Sequence, residues 1–220
     1  MLLSIVVPTL NRVSLLRQTI DSALAQDCDD FELVVVDDAS EDGTWDYLQT
    51  LSGVRTYRNP TRLGLAANWN RAVSLSRGQY VLILQDDDLA ESDLVSTLAA
   101  NAGPDLVCFA MCLIDADGGN PEMSWQSERR LLEPPALFLE YAASVPFAAT
   151  QLLFQRVVFD RLGGMDESFP IGSDAEMIMR WLLSSTALVL PDVLTKKRQW
   201  DGSTSARVQS TMAMSDSMRA

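Results

Sequence analysis

Tyr80-Val81-Leu82-Ile83-Leu84-Gln85-Asp86-Asp87-Asp88 runs five apolar residues into three consecutive aspartates. The apolar run predicts a buried strand, Tyr80 to Leu84. Three adjacent carboxylates repel one another, and a loop holding them gains nothing from burial unless a cation is shared. At the carboxyl end of a strand in an α/β protein, such a cluster points into the crevice where ligands bind. A hard divalent cation, Mg²⁺ or Mn²⁺, carrying a phosphate-bearing substrate matches that chemistry.

Upstream, strand and helix signals alternate. Leu3 to Val7 is a β-rich run that Pro8 is expected to stop. Val13 to Ala25 has apolar residues at helical spacing, and Phe31 to Val36 reads as a strand buried on both faces. A helix from Thr44 to Leu51, a strand from Val54 to Tyr57 and a helix from Leu65 to Ser76 follow. Downstream, Ser92 to Ala102 reads as a helix and Leu106 to Met111 as a strand. This order predicts a mainly parallel sheet flanked by helices. Asp37-Asp38, after the second strand, then shares the carboxyl rim of the sheet with Asp86 to Asp88. The second half is less regular. Helices are expected over Glu133–Ala143 and Asp174–Ser184, and short strands at Gln151–Phe154 and Leu188–Leu190. No linker signal divides the chain.

Composition narrows the chemistry. The 220 residues are 47% hydrophobic, enough for a sizeable core, and the net charge is −13. So acidic a chain repels nucleic acid and anionic lipid as bulk partners. Residues 195–220 reverse the balance, with five basic and two acidic side chains. There is no histidine, which removes Ser-His-Asp and Cys-His nucleophilic sites and any histidine-ligated zinc. Any acid–base chemistry falls to carboxylates. Cys28, Cys108 and Cys112 form no metal-binding spacing, and Cys108 and Cys112 read as buried thiols. No apolar run approaches the ~18 residues of a membrane span, and the N-terminus has no signal-peptide pattern. These features place the chain in the cytoplasm, where contact with the inner face of the membrane remains open to the basic tail.

The segments together resemble a known family. Ser4 to Arg12, Glu32 to Thr44, Asn59 to Asn70, Gly78 to Asp88, Gly163 to Phe169, Ser173 to Glu176 and Arg198 to Ser205 stand in the order of a family 2 glycosyltransferase with the GT-A fold. The resemblance implies one domain over residues 1–205, a nucleotide-binding half (1–110) and a smaller acceptor-binding half (111–205), with 206–220 as a tail. It implies inverting, metal-dependent transfer of a sugar from a nucleotide-diphosphate donor, with uracil or thymine as base, to an acceptor hydroxyl. The acceptor would be a glycan or lipid-linked sugar of a bacterial surface polysaccharide. By position, Pro8, Thr9, Asn11, Asp37, Asp38, Arg62, Asn68 and Asp86 would line the nucleotide site. Asp87 and Asp88 would hold Mn²⁺ or Mg²⁺, and Asp174 would be the catalytic base. The family's first metal-motif aspartate is Gln85 here, its usual Glu-Asp pair is Ser173-Asp174, and Trp200 stands where a histidine is common. Lys196, Lys197 or Arg198 would meet the diphosphate.

Plainer readings stand beside these. Asp37-Asp38 also suits a turn with Ser40, Asp174 also suits a helix N-terminus, and Arg62 also suits a solvated surface. Trp45, Trp69 and Trp181 read as packing residues, whereas Trp125 and Trp200 are candidates for sugar stacking. A nucleotidyltransferase or dinucleotide oxidoreductase would need glycines after the first strand, and Pro8-Thr9-Leu10-Asn11 has none. The alternative from another class is a non-catalytic sugar-nucleotide binder, which Gln85, Ser173 and Trp200 favour and Asp87 with Asp174 disfavours.

Overall fold

The computed structural model describes residues 2–123, 128–144, 147–169, 172–203 and 206. Four parallel strands, β1 (Leu3–Thr9), β2 (Phe31–Asp37), β3 (Arg55–Arg58) and β4 (Tyr80–Ile83), lie in the order β3-β2-β1-β4. They are joined by α1 (Val13–Leu24), α2 (Thr44–Leu48) and α3 (Leu65–Leu75). The chain passes from β1 outward to β2 and β3, then returns to place β4 on the other side of β1. That reversal is a topological switch point, and it opens a crevice at the carboxyl ends of β1 and β4.

Further on come β5 (Leu89–Ala90), α4 (Leu94–Ala100), β6 (Leu106–Ile114), β7 (Glu122–Met123), β8 (Arg130–Leu132) and α5 (Ala136–Ser144). A 3₁₀ turn at Ala149–Gln151 precedes β9 (Leu152–Gln155), α6 (Arg156–Leu162), α7 (Ser173–Leu182) and β10 (Ala187–Arg198). β9 fits antiparallel between β4 and β6, and β10 runs parallel to β6, so the second half turns a parallel sheet into a mixed one. Strands from both halves belong to one ten-stranded sheet among the described residues.

The centre of the sheet is buried on both sides because β1, β2 and β4 carry consecutive apolar residues that face alternately up and down. Val34, Val36, Val6 and Ile83 pack on one face with Trp69 of α3 and Ile178 and Trp181 of α7. Leu33, Val35, Ile5 and Leu82 pack on the other with Leu16 and Ile20 of α1 and Leu94 and Leu98 of α4. No helix among the described residues is long and apolar enough to cross a membrane.

Several expectations need correction. β1 does not stop at Pro8; it continues to Thr9, and Pro8 lies in register with Val36. The pleat explains this. Pro8 faces the same side as Val6, whose carbonyl accepts from Leu84 N at 3.0 Å. The β1–β4 pairing ends at Val6–Ile83, so there is no ladder partner for Pro8 to deprive of a donor. The final strand is not Leu188–Leu190 but the twelve-residue β10. Pro191 and Asp192 disguise it, and they sit at the register shift between Val189 and Val193. The two- and three-residue strands β5, β7 and β8 carry too little pattern to be read from sequence. Cys112 is half-buried beside Met123 rather than enclosed; Cys108 is buried.

Candidate active site

The crevice begins where β1 and β2 end. Thr9 donates its hydroxyl to Asp86 Oδ2 at 2.8 Å, and its carbonyl accepts from Asp38 N at 2.9 Å. One residue thus ties the two acidic rims together. Asn11, with φ of 53°, binds the facing loop twice: its amide donates to Ser40 Oγ and its Oδ1 accepts from Glu41 N, both at 2.8 Å. Asp37 accepts from Ser40 N at 3.0 Å and lies 3.4 Å from Arg58 Nε.

Asp38 is engaged at both oxygens. Its Oδ1 accepts from Asn59 Nδ2 at 2.7 Å and from Leu63 N at 2.8 Å, and its Oδ2 from Gly64 N at 3.0 Å. Asn59 Nδ2 also reaches Asn68 Oδ1 at 2.9 Å, and Asn68 donates to Val36 O at 3.2 Å. Asp38 and Asn68 therefore shape the loop 59–64 from within, and that loop presents Arg62, which is exposed.

The acidic loop follows β4. Asp86, Asp87 and Asp88 are all buried. Arg12 bridges two of them, with Nη1 at 2.7 Å from Asp86 Oδ1 and 3.1 Å from Asp87 Oδ2. Trp200 donates its indole N–H to Asp87 Oδ2 at 2.8 Å, and the Arg12 guanidinium lies over its ring, 5.4 Å from the centroid. Burial drives the Asp86 carboxyl upward despite Arg12. Burial, and then the charge of Asp87, push Asp88 up to about 8. The self-repulsion expected from the sequence is thus present and only partly relieved.

Arg198, at the end of β10, is 3% exposed and holds this loop from behind. Its backbone amide donates to Asp88 Oδ1 at 3.0 Å, and its side chain to Asp87 O, Ala116 O and Gln18 Oε1. Of the three basic residues expected to meet a diphosphate, Arg198 is spent on the protein and Lys196 pairs with Glu91 at 2.9 Å. Lys197 stands near enough for its charge to act on Asp88.

Asp174 lies in the first turn of α7, after Gly172 in the left-handed conformation. The helix is anchored through its other end. Arg180 donates to the carbonyls of Leu162, Gly163 and Gly164, and Trp181 Nε1 to Gly163 O at 2.9 Å. Asn70 of α3 completes the clamp on the same loop, bonding Met165 N at 2.8 Å and Met165 O at 2.9 Å. A Cβ on Gly164 would meet Asn70 Oδ1 at 2.2 Å, so the close approach requires glycine. Burial, with the charge of Asp174 added, pushes the Tyr141 phenol up.

The structure therefore joins Thr9, Asn11, Asp37, Asp38, Asn68, Asp86 and Asp87 in one polar network around the end of β1, with Pro8 in the strand beneath. Among the described residues, Asp174 and Arg62 have no hydrogen bond or ion pair to it. Trp125 lies outside the described residues. Arg12 and Tyr141 were not singled out from sequence, and Arg198, expected at a diphosphate, is turned inward on the protein instead. Only Arg12 had a signal, as a lone cation directly after Pro8 to Asn11.

The acidic loop has the chemistry of a hard-cation site. Asp87 Oδ1 and Asp88 Oδ2 are buried carboxylate oxygens without a hydrogen-bond partner. No three His, Cys, Asp or Glu side chains among the described residues form a metal cage on their own. That is compatible with Mg²⁺, which is commonly held by one or two carboxylates while substrate phosphates and water complete the shell.

Comparisons with known proteins point one way. The sequence model of Glycosyl transferase family 2 matches residues 4–163. GalNAc(5)-diNAcBac-PP-undecaprenol beta-1,3-glucosyltransferase of Campylobacter jejuni is 35% identical over 122 residues, 53% of this chain and 40% of that protein. A PGL/p-HBAD biosynthesis glycosyltransferase of Mycobacterium bovis is 38% identical over 105 residues, 46% of this chain and 41% of that protein. The chain thus spans well under half the length of either curated relative. S. aureus TarS 1-349 in complex with UDP-GlcNAc superposes with a TM-score of 0.77 at 20% identity, covering 92% of this chain and 60% of that one.

Proposed function

We propose, from the premise that this chain belongs to glycosyl transferase family 2 and has the GT-A fold, that it transfers a sugar from a nucleotide diphosphate to an acceptor hydroxyl with inversion at the anomeric carbon. The observation that carries this reading is the convergence of three strand ends on one crevice, with two unpartnered buried carboxylate oxygens in its acidic loop. In this reading Pro8, Thr9, Asn11, Asp37 and Asp38 form the nucleoside side of the crevice, with Asn68 and Arg62 beside it and Asp86 toward the ribose. A uridine or thymidine diphosphate donor suits acceptor groups at this rim, because the base offers an imide N–H.

Asp87 and Asp88 would hold Mg²⁺ or Mn²⁺. The bound ion would neutralise the donor's diphosphate and stabilise it as a leaving group. Asp174 takes the proton of the acceptor hydroxyl while its oxygen forms the bond to the anomeric carbon and the bond from that carbon to the diphosphate oxygen breaks. The sugar leaves with inverted configuration, and the nucleoside diphosphate with its bonding electrons. The Campylobacter relative is named for an undecaprenol-diphosphate-linked glycan, which supports a lipid-linked sugar acceptor of bacterial surface polysaccharide synthesis. It also supports work at the inner face of the membrane.

The test is release of UDP from UDP-sugars with Mn²⁺, measured with and without glycan and polyprenyl-linked acceptors. Asp174→Asn is expected to lower kcat by roughly 10²–10⁴-fold, the range of a general base, with donor binding retained. Donor binding with no turnover on a broad acceptor panel would instead leave a non-catalytic sugar-nucleotide binder.

A further inference from the structure

We propose that Arg12 is a resident counter-ion of the acidic loop, which a divalent cation must displace from Asp87 in order to bind. This rests on the reading of that loop as the cation site. Asp87 Oδ2 is already shared by two donors, Arg12 Nη1 at 3.1 Å and Trp200 Nε1 at 2.8 Å. The same Arg12 nitrogen holds Asp86 Oδ1 at 2.7 Å. What Asp87 has left is Oδ1, on the same carboxylate as the guanidinium contact. A dication there would stand within a few ångström of the Arg12 guanidinium, beside carboxylates that are nearly closed to water. The two cations therefore compete for one carboxylate.

Arg12 is built to leave. Its main chain stays fixed as the N-cap of α1, where its carbonyl accepts from Leu15 N and Leu16 N. Its side chain is 18% exposed, against 5% for Asp87, so the guanidinium has a way out to solvent that the carboxylate lacks. The Trp200 ring borders the path, 5.4 Å from the guanidinium carbon. Once off Asp87, the guanidinium stands at the crevice mouth, where its planar donors match phosphate oxygens. Cation and diphosphate then bind as an exchange: the cation takes the carboxylate and the anion takes the arginine.

The test measures Mn²⁺ alone binding to the whole chain, by the electron-spin-resonance signal of free Mn²⁺, without nucleotide. Arg12→Met and Arg12→Gln, checked as folded by circular dichroism, are expected to bind at least about tenfold tighter than wild type, the scale of one displaced charge-assisted hydrogen bond. Adding Asp87→Asn should abolish the gain. Equal or weaker binding by the folded variants would overturn the proposal while leaving wild-type cation binding intact. No Mn²⁺ bound by any form, with or without UDP, would overturn it together with the cation reading. A second measurement needs no variant. Titrating wild type with Mg²⁺ should move the Arg12 Nε–H resonance in step with Mg²⁺ binding, and an unmoved resonance would also overturn the proposal.

Discussion

At the scale of single residues, Asp38 is a rim carboxylate whose bonds all go to its own chain. It accepts from Leu63 N, Gly64 N and Asn59 Nδ2, so it sets the course of the loop that carries Arg62. Asp38→Ala leaves the Leu63 and Gly64 amides without their acceptor and takes one of two acceptors from Asn59 Nδ2. The expected loss is about 2 kcal/mol of stability, read from urea unfolding, because the amides recover part of their bonding from water. The same variant should raise donor KM more than it lowers kcat, since loop geometry and not proton transfer is disturbed. A variant as stable as wild type, with unchanged KM, would show that Asp38 does not hold the loop. Asp38 also marks a limit of reading sequence. That an aspartate stands at this rim was evident from the motif, but which three donors it would meet was not, because two of them lie 25 and 26 residues away in the chain.

At the scale of elements, α7 is the part most dependent on a single side chain. Arg180 gathers the Leu162, Gly163 and Gly164 carbonyls and is itself held by Glu176, one turn back on the same helix. The amphipathic pattern of this helix was plain in the sequence, as were Gly163-Gly164, but nothing there linked the two. Arg180→Met keeps most of the side chain's volume and removes the clamp. We expect a fall in kcat of about tenfold, the order of a displaced catalytic group short of its removal, with donor KM within about twofold of wild type. Steady-state kinetics with donor and acceptor varied separately would read this. A loss confined to donor KM would place the role of Arg180 elsewhere. β10 illustrates the opposite failure of legibility. Its Leu188 to Leu190 segment was visible, while Pro191 and Asp192 at the register shift, followed by Lys196 and Lys197, hid the remainder.

At the scale of the whole molecule, the edge of the sheet away from the crevice is laced by Glu32. It accepts from Ser4 Oγ at 2.7 Å, from Arg77 N at 2.5 Å and from Arg55 Nη1 at 2.5 Å, linking β1, β2, β3 and the approach to β4. Burial alone would raise this carboxyl, but the bonds from Ser4, Arg55 and Arg77 outweigh it and hold it below its ordinary value. A group lowered in the folded state contributes stability above its unfolded pKa and loses it as pH falls through the folded one. Stability should therefore decline below about pH 4, and Glu32→Gln should be less stable at neutral pH with a flatter acid limb. The Arg55 partner is 24% exposed, so solvent screens the pair and the effect is modest. Parallel acid limbs for the two proteins would exclude the lacing. The parallel half of the sheet was readable because β1, β2 and β4 carry consecutive apolar residues and its helices are periodic. The antiparallel insertion of β9 was not, because strand direction depends on long-range partners that no local spacing encodes. Pro8 bears on a different matter. Where β1 outruns β4 the chain presents a short length of unmatched strand in the middle of the molecule, and such a length is a template for another chain while folding is incomplete. A residue without an amide hydrogen there makes that template defective, so Pro8 is expected to disfavour pairing of the nascent protein with its own copies.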